Sequence, residues 1–358
     1  MIRRIAVLAG DGIGPEVMDA ALKVLRRVDE RFKLSFEFKE ALIGGAAFEK
    51  YSAHFPEETR KICSESDAIL FGSVGGPISE AHLEKWRGCE SNSILALRKA
   101  LGLFANLRPI KVYPELRAIS PIKGEVIGEG IDILIVRELA GDIYFGEHRT
   151  FEKSGCRYAT DLAEYDENQI AAIGRVAFET ARSRRKKVTS VDKANVLATS
   201  KLWRGVIKEI SQEFSEIEYE DMLVDNCAMQ IIRRPSDFDV IVTSNMFGDI
   251  LSDAAAVLPG SLGLTPSASL NAERFGLYEP SGGSAPDIAG RGVANPIAQI
   301  LSAALLLRFS FGLEKEALSI EDAVYRAIAG SARTVDIAVE GESALSTAEF
   351  TDKVLSHI

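Results

Sequence analysis

Two aspartates four residues apart, Asp249 and Asp253, are the pair in this sequence best suited to bind a metal ion. Side chains at this spacing share one face of a helix, so the two carboxylates would lie side by side. Mg²⁺ and Mn²⁺ prefer oxygen ligands and would relieve the repulsion between the two charges. A solvated acidic face is the alternative, but the apolar residues around the pair leave only a narrow polar stripe. Asp225, at the end of another apolar run, is a weaker third candidate.

Three arginines are candidates for binding an anion beside such a metal. Arg98 lies in a segment with helical spacing, Arg108 precedes a proline, and Arg137 ends an apolar, β-branched run. An arginine at the end of a buried strand is costly unless it meets an anion, and a planar guanidinium group suits a carboxylate. Each arginine taken alone also fits an ordinary surface position. Three of them near one metal would describe a substrate with several carboxylates.

A glycine-rich turn, Gly10-Asp11-Gly12-Ile13-Gly14-Pro15, follows the first apolar run. A turn of this kind between a strand and a helix is also the start of a dinucleotide-binding Rossmann motif. The third glycine of that motif would fall at Pro15, however, and no acidic residue follows at the expected place. A proline suits the first turn of a helix. We therefore expect a tight strand-to-helix turn near a site, and not a Rossmann fold.

A second loop, residues 279–290, is rich in glycine, serine and proline. The backbone of such loops approaches a ligand closely. Asp287 within the loop could accept hydrogen bonds from the hydroxyls of a ribose and would repel a 2′-phosphate. The loop is therefore a candidate nucleotide site.

Length and charge limit the possible partners. The chain has 358 residues and a net charge of −10, with 46% hydrophobic and 26% charged residues. This length favours two domains or lobes. Proteins that bind nucleic acid through phosphates normally have a basic face, whereas the one basic cluster here, residues 182–187, is expected at a solvated helix end. We expect no nucleic-acid partner.

The cysteines and the apolar tracts indicate the compartment. The four cysteines show no paired spacing, which indicates reduced thiols in a cytosolic protein. The apolar stretch after the first two arginines, residues 5–10, is too short for a signal peptide. The longest apolar tract, 296–307, ends at Arg308 and cannot span a bilayer. The sequence predicts a cytoplasmic protein with no membrane partner.

Short apolar runs alternate along the chain with longer segments of helical spacing. The runs expected as buried strands are residues 5–8, 68–71, 133–136, 188–191 and 240–243. The segments expected as helices are residues 15–30, 93–101, 168–182 and 201–214. This alternation predicts an α/β sandwich on a largely parallel sheet. The polar segment 145–161 is expected as a projecting hairpin or arm, and the lack of a linker predicts interleaved lobes.

Several motifs together closely resemble the β-decarboxylating dehydrogenases, the family that includes isopropylmalate, isocitrate, homoisocitrate and tartrate dehydrogenases. The matching motifs are Gly10-Asp11-Gly12-Ile13-Gly14-Pro15, Leu103-Phe104-Ala105-Asn106-Leu107-Arg108-Pro109, Val136-Arg137-Glu138, Ile143-Tyr144-Phe145-Gly146, Asp192-Lys193-Ala194-Asn195-Val196, 245–253 and 283–295. The resemblance implies a non-Rossmann, three-layer α/β sandwich of two lobes. The first lobe would comprise residues 1–103 and 259–358 and carry the nucleotide loops. The second, residues 104–258, would carry the substrate and metal residues, the dimer interface and the arm.

The resemblance also implies a role for each matching residue. Tyr144 and Lys193 would transfer protons, and Asp225, Asp249 and Asp253 would bind one Mg²⁺ or Mn²⁺ per subunit. The residues that would contact the substrate are Arg98, Arg108, Arg137, Asp225, Glu90, Ile94, Leu95, Asn195 and Val196. Those that would contact the nucleotide are Gly76, Glu90, Gly283, Ser284, Ala285, Pro286, Asp287, Ile288, Ala289, Gly290 and Asn295. Lys193 and Asp225 would reach the site from the second subunit of a homodimer, so that the two subunits share their active sites.

Local sequence chooses among the substrates and cofactors of the family. An apolar wall at Ile94, Leu95 and Val196 suits a branched alkyl group and would leave a third carboxylate desolvated. This favours 3-isopropylmalate, an intermediate of leucine biosynthesis, over isocitrate. Asp287 stands where NADP-specific relatives have a cation, which favours NAD.

Two departures from the family and two rival functions stay open. Ala140-Gly141-Asp142 replaces the usual Thr-Gly-Gly, and Gly282 replaces a histidine beside the nucleotide loop. A tartrate- or alkylmalate-type dehydrogenase is the nearer alternative activity. A non-catalytic metabolite-binding module is the alternative from another class, although the presence of Tyr144, Lys193 and all three aspartates argues against it.

Overall fold

The fold is described from a computed structural model, which describes residues 2–358. The chain divides into two compact units. Unit 1 comprises Met1–Leu103, Glu115–Pro121 and Pro259–Ile358, and unit 2 comprises Phe104–Pro114 and Ile122–Leu258. The segment Glu115–Pro121, expected in the second lobe, belongs to unit 1, and within this unit Glu115 accepts a hydrogen bond from Tyr325 at 3.0 Å.

Unit 1 contains five strands. They are β1 (Arg3–Gly10), β2 (Phe36–Glu40), β3 (Ala68–Ser73), β11 (Pro266–Leu270) and β12 (Gly276–Pro280). Their order is β2-β1-β3-β12-β11, and all neighbours are parallel except the last pair. Every residue of β3 is buried, as its continuous apolar run predicts for a central parallel strand.

The helices of unit 1 cover this sheet. They are α1 (Gly14–Phe32), α2 (Gly45–Tyr51), α3 (Glu57–Ser64), α4 (Ala96–Ala100), α10 (Ile297–Phe309), α11 (Glu314–Ala329) and α12 (Thr347–Leu355). Helix α10 is apolar all round and is buried from Ile297 to Leu307, so the longest apolar tract of the sequence is a core helix. Within residues 2–358, no helix is long and apolar enough to cross a membrane.

Unit 2 contains a second set of five strands. They are β4 (Ala105–Val112), β5 (Ile131–Glu138), β8 (Lys187–Asp192), β9 (Glu218–Leu223) and β10 (Val240–Thr243). Their order is β4-β5-β10-β8-β9, with β4 antiparallel to β5 and the other neighbours parallel. The helices of this unit are α5 (Gly124–Ile127), α6 (Glu167–Arg182), α7 (Ala198–Ser211), α8 (Val224–Arg233) and α9 (Asn245–Ala256).

The polar segment predicted as an arm is a two-stranded hairpin, β6 (His148–Lys153) and β7 (Cys156–Asp161). All residues of both strands are exposed, and the rings of Phe151 and Tyr158 stack on its surface with centroids 5.4 Å apart. The predicted hairpin is confirmed, and nothing within the described chain covers it. An isolated hairpin of this kind is only marginally stable in water.

The basic cluster after α6 is the predicted solvated helix end at Arg182, Arg185 and Lys186, which are exposed, whereas Arg184 is partly buried. Arg184 donates to the carboxylates of Asp132 at 2.7 Å and Asp239 at 2.8 Å, and Arg185 donates to backbone carbonyls of the same region. Asp239 is 1% exposed, and a buried carboxylate needs a charged partner. The cluster therefore ties α6 to the edges of β5 and β10.

The parallel strands of unit 2 place several polar residues at one edge of the sheet. β5 ends at Arg137 and Glu138, β8 is followed by Lys193, and β9 and β10 lead directly into α8 and α9. Because parallel strands run in one direction, their carboxyl ends lie along the same edge, where α/β proteins bind ligands. The candidate site of unit 2 lies at this edge.

Candidate active site

Arg137 is the buried cation at the carboxyl end of β5. Its side chain is 7% exposed and forms a short ion pair with Asp249 through Nη1. Its Nε and Nη2 donate to Oδ1 of Asn245 at 3.0 and 2.8 Å. A cation placed there requires such partners, because its burial would otherwise be costly.

Arg108 lies beside it on the antiparallel strand β4. Its Nη1 donates to Oδ1 of Asp253 at 2.7 Å and to Oγ of Ser252 at 2.9 Å, and its Nε donates to Asn106 at 2.9 Å. The side chain of Arg108 is 13% exposed, whereas that of Asp253 is 70% exposed. The arginine is therefore held rigidly, and the aspartate projects from the edge of the site.

Asp249 and Asp253 lie on one face of α9, as their spacing predicts. Oδ2 of Asp249 accepts a hydrogen bond from the hydroxyl of Tyr144 at 3.1 Å. The pKa of Tyr144 is raised. The larger cause is the partial burial of the phenol, and the next is the negative charge of the nearby Asp249 carboxylate. The phenol therefore keeps its proton at neutral pH and lies within hydrogen-bonding distance of the carboxylate.

The cluster fits a hard divalent cation. Its two carboxylates are oxygen ligands of the kind that Mg²⁺ and Mn²⁺ prefer. The two negative charges of Asp249 and Asp253 balance the positive charges of Arg108 and Arg137. A bound divalent cation would therefore leave two positive charges, which one dianion would neutralise. Among residues 2–358, no three acidic, histidine or cysteine side chains converge on one point, so Asp249 and Asp253 stand here as a pair of candidate ligands.

Lys193 and Asp225 form a separate cluster in unit 2. Nζ of Lys193 donates to Oδ1 of Asp225 at 2.5 Å, and this hydrogen bond lowers the pKa of the Asp225 carboxyl. Asp192 positions the lysine, because its buried carboxylate accepts from the backbone N–H of Ala194 and is held by Arg204 at 2.9 and 2.7 Å. The chain therefore presents the predicted metal and proton-transfer residues as two groups.

In unit 1, Arg98 forms a largely buried ion pair with Glu279. Its Nη2 lies 2.6 Å from Oε1 of Glu279, and the two side chains are 17% and 11% exposed. Its Nε is buried without a hydrogen-bond partner among the described residues. A buried N–H of this kind is costly to leave unpaired, so it is an available donor for a carboxylate ligand.

The residues predicted to line the substrate pocket differ in exposure. Ile94 is 8% exposed and packs into the core of unit 1, whereas Leu95 is 44% exposed and Val196 is 63% exposed. Glu90 and Asn195 are also exposed. Ile94 is therefore a core residue, and Leu95 and Val196 are the apolar side chains accessible to a ligand.

The glycine-rich turn of the N-terminus packs against the predicted nucleotide loop. The backbone N–H of Ile13 donates to the carbonyl of Ser284 at 2.8 Å. Gly12 has φ +60°, and a Cβ at this position would lie 2.0 Å from the same carbonyl oxygen. The carboxylate of Asp11 accepts from the backbone N–H groups of Gly45, Ala46 and Gly75 at 2.8–3.0 Å. The turn thus holds loops in place, as expected for a strand-to-helix turn near a site.

Replacing Gly12 by alanine is expected to weaken nucleotide binding by about tenfold, because the new methyl group displaces the Ser284 carbonyl. The KM for the nucleotide measures this effect. Gly102→Ala is a matched control, since Gly102 has φ +62° but no atom within 4 Å of its Cβ position. Equal nucleotide KM values for the two variants would contradict the packing role of Gly12.

The loop itself suits a nucleotide. Gly283, Asp287 and Gly290 are exposed, and a Cβ on either glycine would meet no atom within 4 Å. Open backbone with an exposed carboxylate fits a ribose and its adjoining phosphates. Asn295 instead uses its amide within the protein, donating to Asp336 at 3.0 Å and accepting from the N–H of Ile297 at 3.0 Å.

The remaining predicted nucleotide residues lie around this loop with differing exposure. Ser284 is 7% exposed, and Ala285, Pro286, Ile288 and Ala289 are partly exposed. Gly76 lies against Trp86, where a Cβ would come within 2.1 Å of the indole ring. The backbone at Gly76 is therefore packed directly against the indole ring of Trp86, and a larger residue at position 76 would not fit.

Four residues around Arg137 and α9 received no functional role from the sequence, although Glu138, Asp142 and Asn245 stand in the motifs and departures described above. Glu138, Tyr165 and Asn245 are buried and connected to one another by hydrogen bonds, and Asp142 caps α9. Tyr165 lies far from every motif along the chain, and its only sequence signal is a tyrosine at the start of a helical segment. The departure at Asp142 was noted, but its partner on α9 was not predictable.

Sequence comparison assigns the chain to a family. The model of the isocitrate/isopropylmalate dehydrogenase family matches residues 4–354. A 3-isopropylmalate dehydrogenase of Aquifex aeolicus is 51% identical over 361 residues, which cover 99% of this chain and 97% of that protein. The protein of the same name in Halalkalibacterium halodurans is 52% identical over 362 residues and is covered to 98%.

Solved structures agree with the sequence match. An isocitrate dehydrogenase from Methylococcus capsulatus superimposes with a TM-score of 0.85 at 34% identity, covering 99% of both chains. A β-decarboxylating dehydrogenase from Thermococcus kodakarensis gives a TM-score of 0.80 at 36% identity and is covered to 96%. With a family match along almost its full length and relatives half identical to it, this chain belongs to the isocitrate/isopropylmalate dehydrogenase family.

Proposed function

We propose that this chain catalyses the oxidative decarboxylation of (2R,3S)-3-isopropylmalate to 4-methyl-2-oxopentanoate and CO₂, with reduction of NAD⁺, in leucine biosynthesis. The observation that carries the proposal is the roughly half identity, over nearly the full length, to relatives named 3-isopropylmalate dehydrogenase. The pairing of Arg108 and Arg137 with two aspartates supports it, because this site suits a metal and a dicarboxylate.

The roles of the unit 2 residues follow from their chemistry. Arg108 and Arg137 bind the carboxylates of the substrate and orient its hydroxyl-bearing carbon. Asp249 and Asp253 of one subunit, with Asp225 of the other, would hold Mg²⁺ or Mn²⁺. The bound cation supplies positive charge that stabilises the enolate formed on loss of CO₂. In unit 1, Arg98 would also bind a substrate carboxylate, by donating a hydrogen bond from its unpaired Nε.

Proton transfers fall to Lys193 and Tyr144. Lys193, or a water that it activates, removes the hydroxyl proton while the hydride of the same carbon passes to NAD⁺. The bond to the β-carboxylate then breaks, CO₂ leaves, and the electron pair remains in the enolate. Tyr144 protonates the enolate carbon. Its hydroxyl already lies 3.1 Å from Asp249, beside the carboxylate-binding arginines.

Leu95 and Val196 would contact the alkyl chain of the substrate and determine the specificity for it. Both are exposed apolar side chains in segments that the family uses for substrate, and neither can pair with a third carboxylate. Asp287 favours NAD, because an exposed carboxylate repels a 2′-phosphate and accepts from ribose hydroxyls.

A homodimer with shared sites completes the proposal, and we place the enzyme in the cytoplasm. Four apolar residues on α8, on α9 and directly after α9 are each more than half exposed: Met229, Ile232, Ile250 and Val257. Clustered exposure of this kind marks an interaction surface. The hairpin β6–β7, with its uncovered aromatic pair, is a second surface that a partner subunit would cover.

The proposed activity predicts metal-dependent NADH formation from 3-isopropylmalate, faster than from isocitrate, D-malate or tartrate. The rates are measured spectrophotometrically with and without Mn²⁺, and with NAD⁺ or NADP⁺. Faster turnover of isocitrate would refute the assignment of Leu95 and Val196. Binding of NAD⁺ without NADH formation from any of the four substrates would favour a non-catalytic module.

A further inference from the structure

A chain of buried hydrogen bonds runs behind the carboxylate-binding residues of unit 2. The carboxylate of Glu138 accepts from the hydroxyl of Tyr165 at 3.0 Å, and that hydroxyl accepts from the backbone N–H of Asn245 at 2.9 Å. The side chain of Asn245 in turn accepts both hydrogen bonds from Arg137. Glu138 and Asn245 are each 1% exposed, and Tyr165 is 8% exposed. None of these three residues has a role in the chemistry proposed above.

The same hydroxyl helps to begin α9. Ser244 precedes the helix, but its side chain makes no capping hydrogen bond. The first two N–H groups of the helix are satisfied instead by residues distant in sequence. Asn245 donates to Tyr165, and Met246 donates to Oδ2 of Asp142 at 3.1 Å. The start of the helix that carries Asp249 and Asp253 is therefore fixed from outside.

The ring of Tyr165 has little freedom to move. It packs edge-on against Trp203, with centroids 5.6 Å apart and an interplanar angle of 70°. On its other side is Gly141, where a Cβ would come within 2.5 Å of the ring. Gly141 also donates to Glu138 at 2.8 Å, and its carbonyl accepts from Asn245 at 3.1 Å. The hydroxyl is thus held at one point between β5 and α9.

We propose that Tyr165 is a positioning residue, which through Asn245 fixes both the guanidinium group of Arg137 and the start of α9. This inference rests on the proposed function, since it assigns Arg137 to the substrate and α9 to the metal. The physical reason is that one oxygen atom serves two buried partners. Its loss leaves the N–H of Asn245, a residue that is 1% exposed, without this partner, so Asn245 and the groups it holds shift to find other partners.

Tyr165→Phe tests the proposal, because it removes only that oxygen atom. We expect the KM for 3-isopropylmalate and the Mn²⁺ concentration for half-maximal activity each to rise about tenfold, while the KM for NAD⁺ stays within twofold. Tyr278→Phe is the matched control. Tyr278 is fully buried in unit 1, and its hydroxyl bonds to Ser310 at 2.7 Å. A substrate KM for Tyr165→Phe equal to that of the control, or a parallel rise in the KM for NAD⁺, would overturn the proposal.

A double-mutant cycle separates positioning from general loss of stability. Asn245→Ala keeps the backbone N–H that donates to Tyr165 but removes the side-chain oxygen that holds Arg137. Tyr165→Phe added to it should therefore raise the substrate KM by less than twofold further, while the Mn²⁺ requirement still rises through the start of α9. Full multiplication of the two effects would show that Tyr165 acts by another route and would overturn the proposal. Melting temperatures of all variants identify any that fail to fold.

The outcome is distinguishable from failure of the proposed function. Wild-type protein that forms no NADH from 3-isopropylmalate would refute that function. The position of α9 is then measured without turnover, as the Mn²⁺ affinity of the whole protein by calorimetry. Affinity about tenfold weaker in Tyr165→Phe than in Tyr278→Phe supports the positioning role, and equal affinities refute it.

Discussion

Asp249→Asn is expected to lower metal-dependent turnover roughly 1000-fold, the scale of losing several kcal/mol of electrostatic transition-state stabilisation. The carboxylate of Asp249 forms an ion pair with Arg137 and accepts a hydrogen bond from the hydroxyl of Tyr144. The amide keeps the shape of the side chain but removes the negative charge. It therefore removes a proposed metal ligand and leaves Arg137 without its anion in a position that is 7% exposed.

The measurement is the rate of NADH formation from 3-isopropylmalate over a titration of Mn²⁺. The variant should require far more metal and should remain slow at saturation, because Tyr144 and Arg137 also lose their partner. Asp322→Asn is the matched control. Asp322 lies on α11 and pairs with Arg326 at 2.9 Å in an exposed ion pair, whose loss costs little. Full activity of Asp249→Asn without added metal would contradict the metal assignment.

The sequence predicted the five buried strands β1, β3, β5, β8 and β10 and the shared face of α9, because both depend on local periodicity. Apolar runs at 133–136 and 240–243 lie within β5 and β10, and the four-residue spacing of the aspartates holds on any helix. The parallel direction of these strands then brings Arg137 and Asn245 to one edge. Local patterns therefore identified β5, β10 and α9, but not β4, which carries Arg108, or α8, which carries Asp225.

Periodicity did not predict which residue of an adjacent apolar pair is buried and which is exposed. Ile94 and Leu95 are adjacent, so on a helix they point about 100° apart, and only one of them can face the core. The structure places them in a π-helical turn, Ser91–Leu95, which buries Ile94 and exposes Leu95. Such a turn has more residues than a turn of α-helix and therefore changes the angle between successive side chains. The amino-acid composition alone does not reveal it.

Long-range polar contacts were equally unpredictable. Tyr165 and Asn245 lie 80 positions apart, and each is an ordinary residue in its local sequence. Their hydrogen bond exists because α9 begins without a local cap and a tertiary partner takes that place. The sequence likewise left open which anion Arg137 meets, since several acidic residues were equally suitable before the fold was known.

A mixture of two inactive variants, Lys193→Met and Asp249→Asn, is expected to recover about a quarter of wild-type activity. Each variant alone should be nearly inactive, because one lacks the proton acceptor and the other a metal ligand. In the structure, Lys193 pairs with Asp225 in one cluster, while Asp249 belongs to the other with Tyr144. If each active site takes one cluster from each subunit, a mixed dimer contains one intact site and one with both lesions.

The expected yield follows from the symmetry of the dimer. Random pairing makes about half of the dimers mixed, and half of the sites in these are intact, which gives about one quarter. Lys193→Met mixed with Asp225→Asn is the decisive control, because both lesions fall in the same cluster. Every site in that mixture carries a lesion, so no activity should return. No recovery in the first mixture after dimers have exchanged subunits would mean that each chain builds its site alone, and Asp225 would then lose its role as the third metal ligand. Recovery in the control would mean that Lys193 and Asp225 of one chain serve different sites, against their ion pair in the structure.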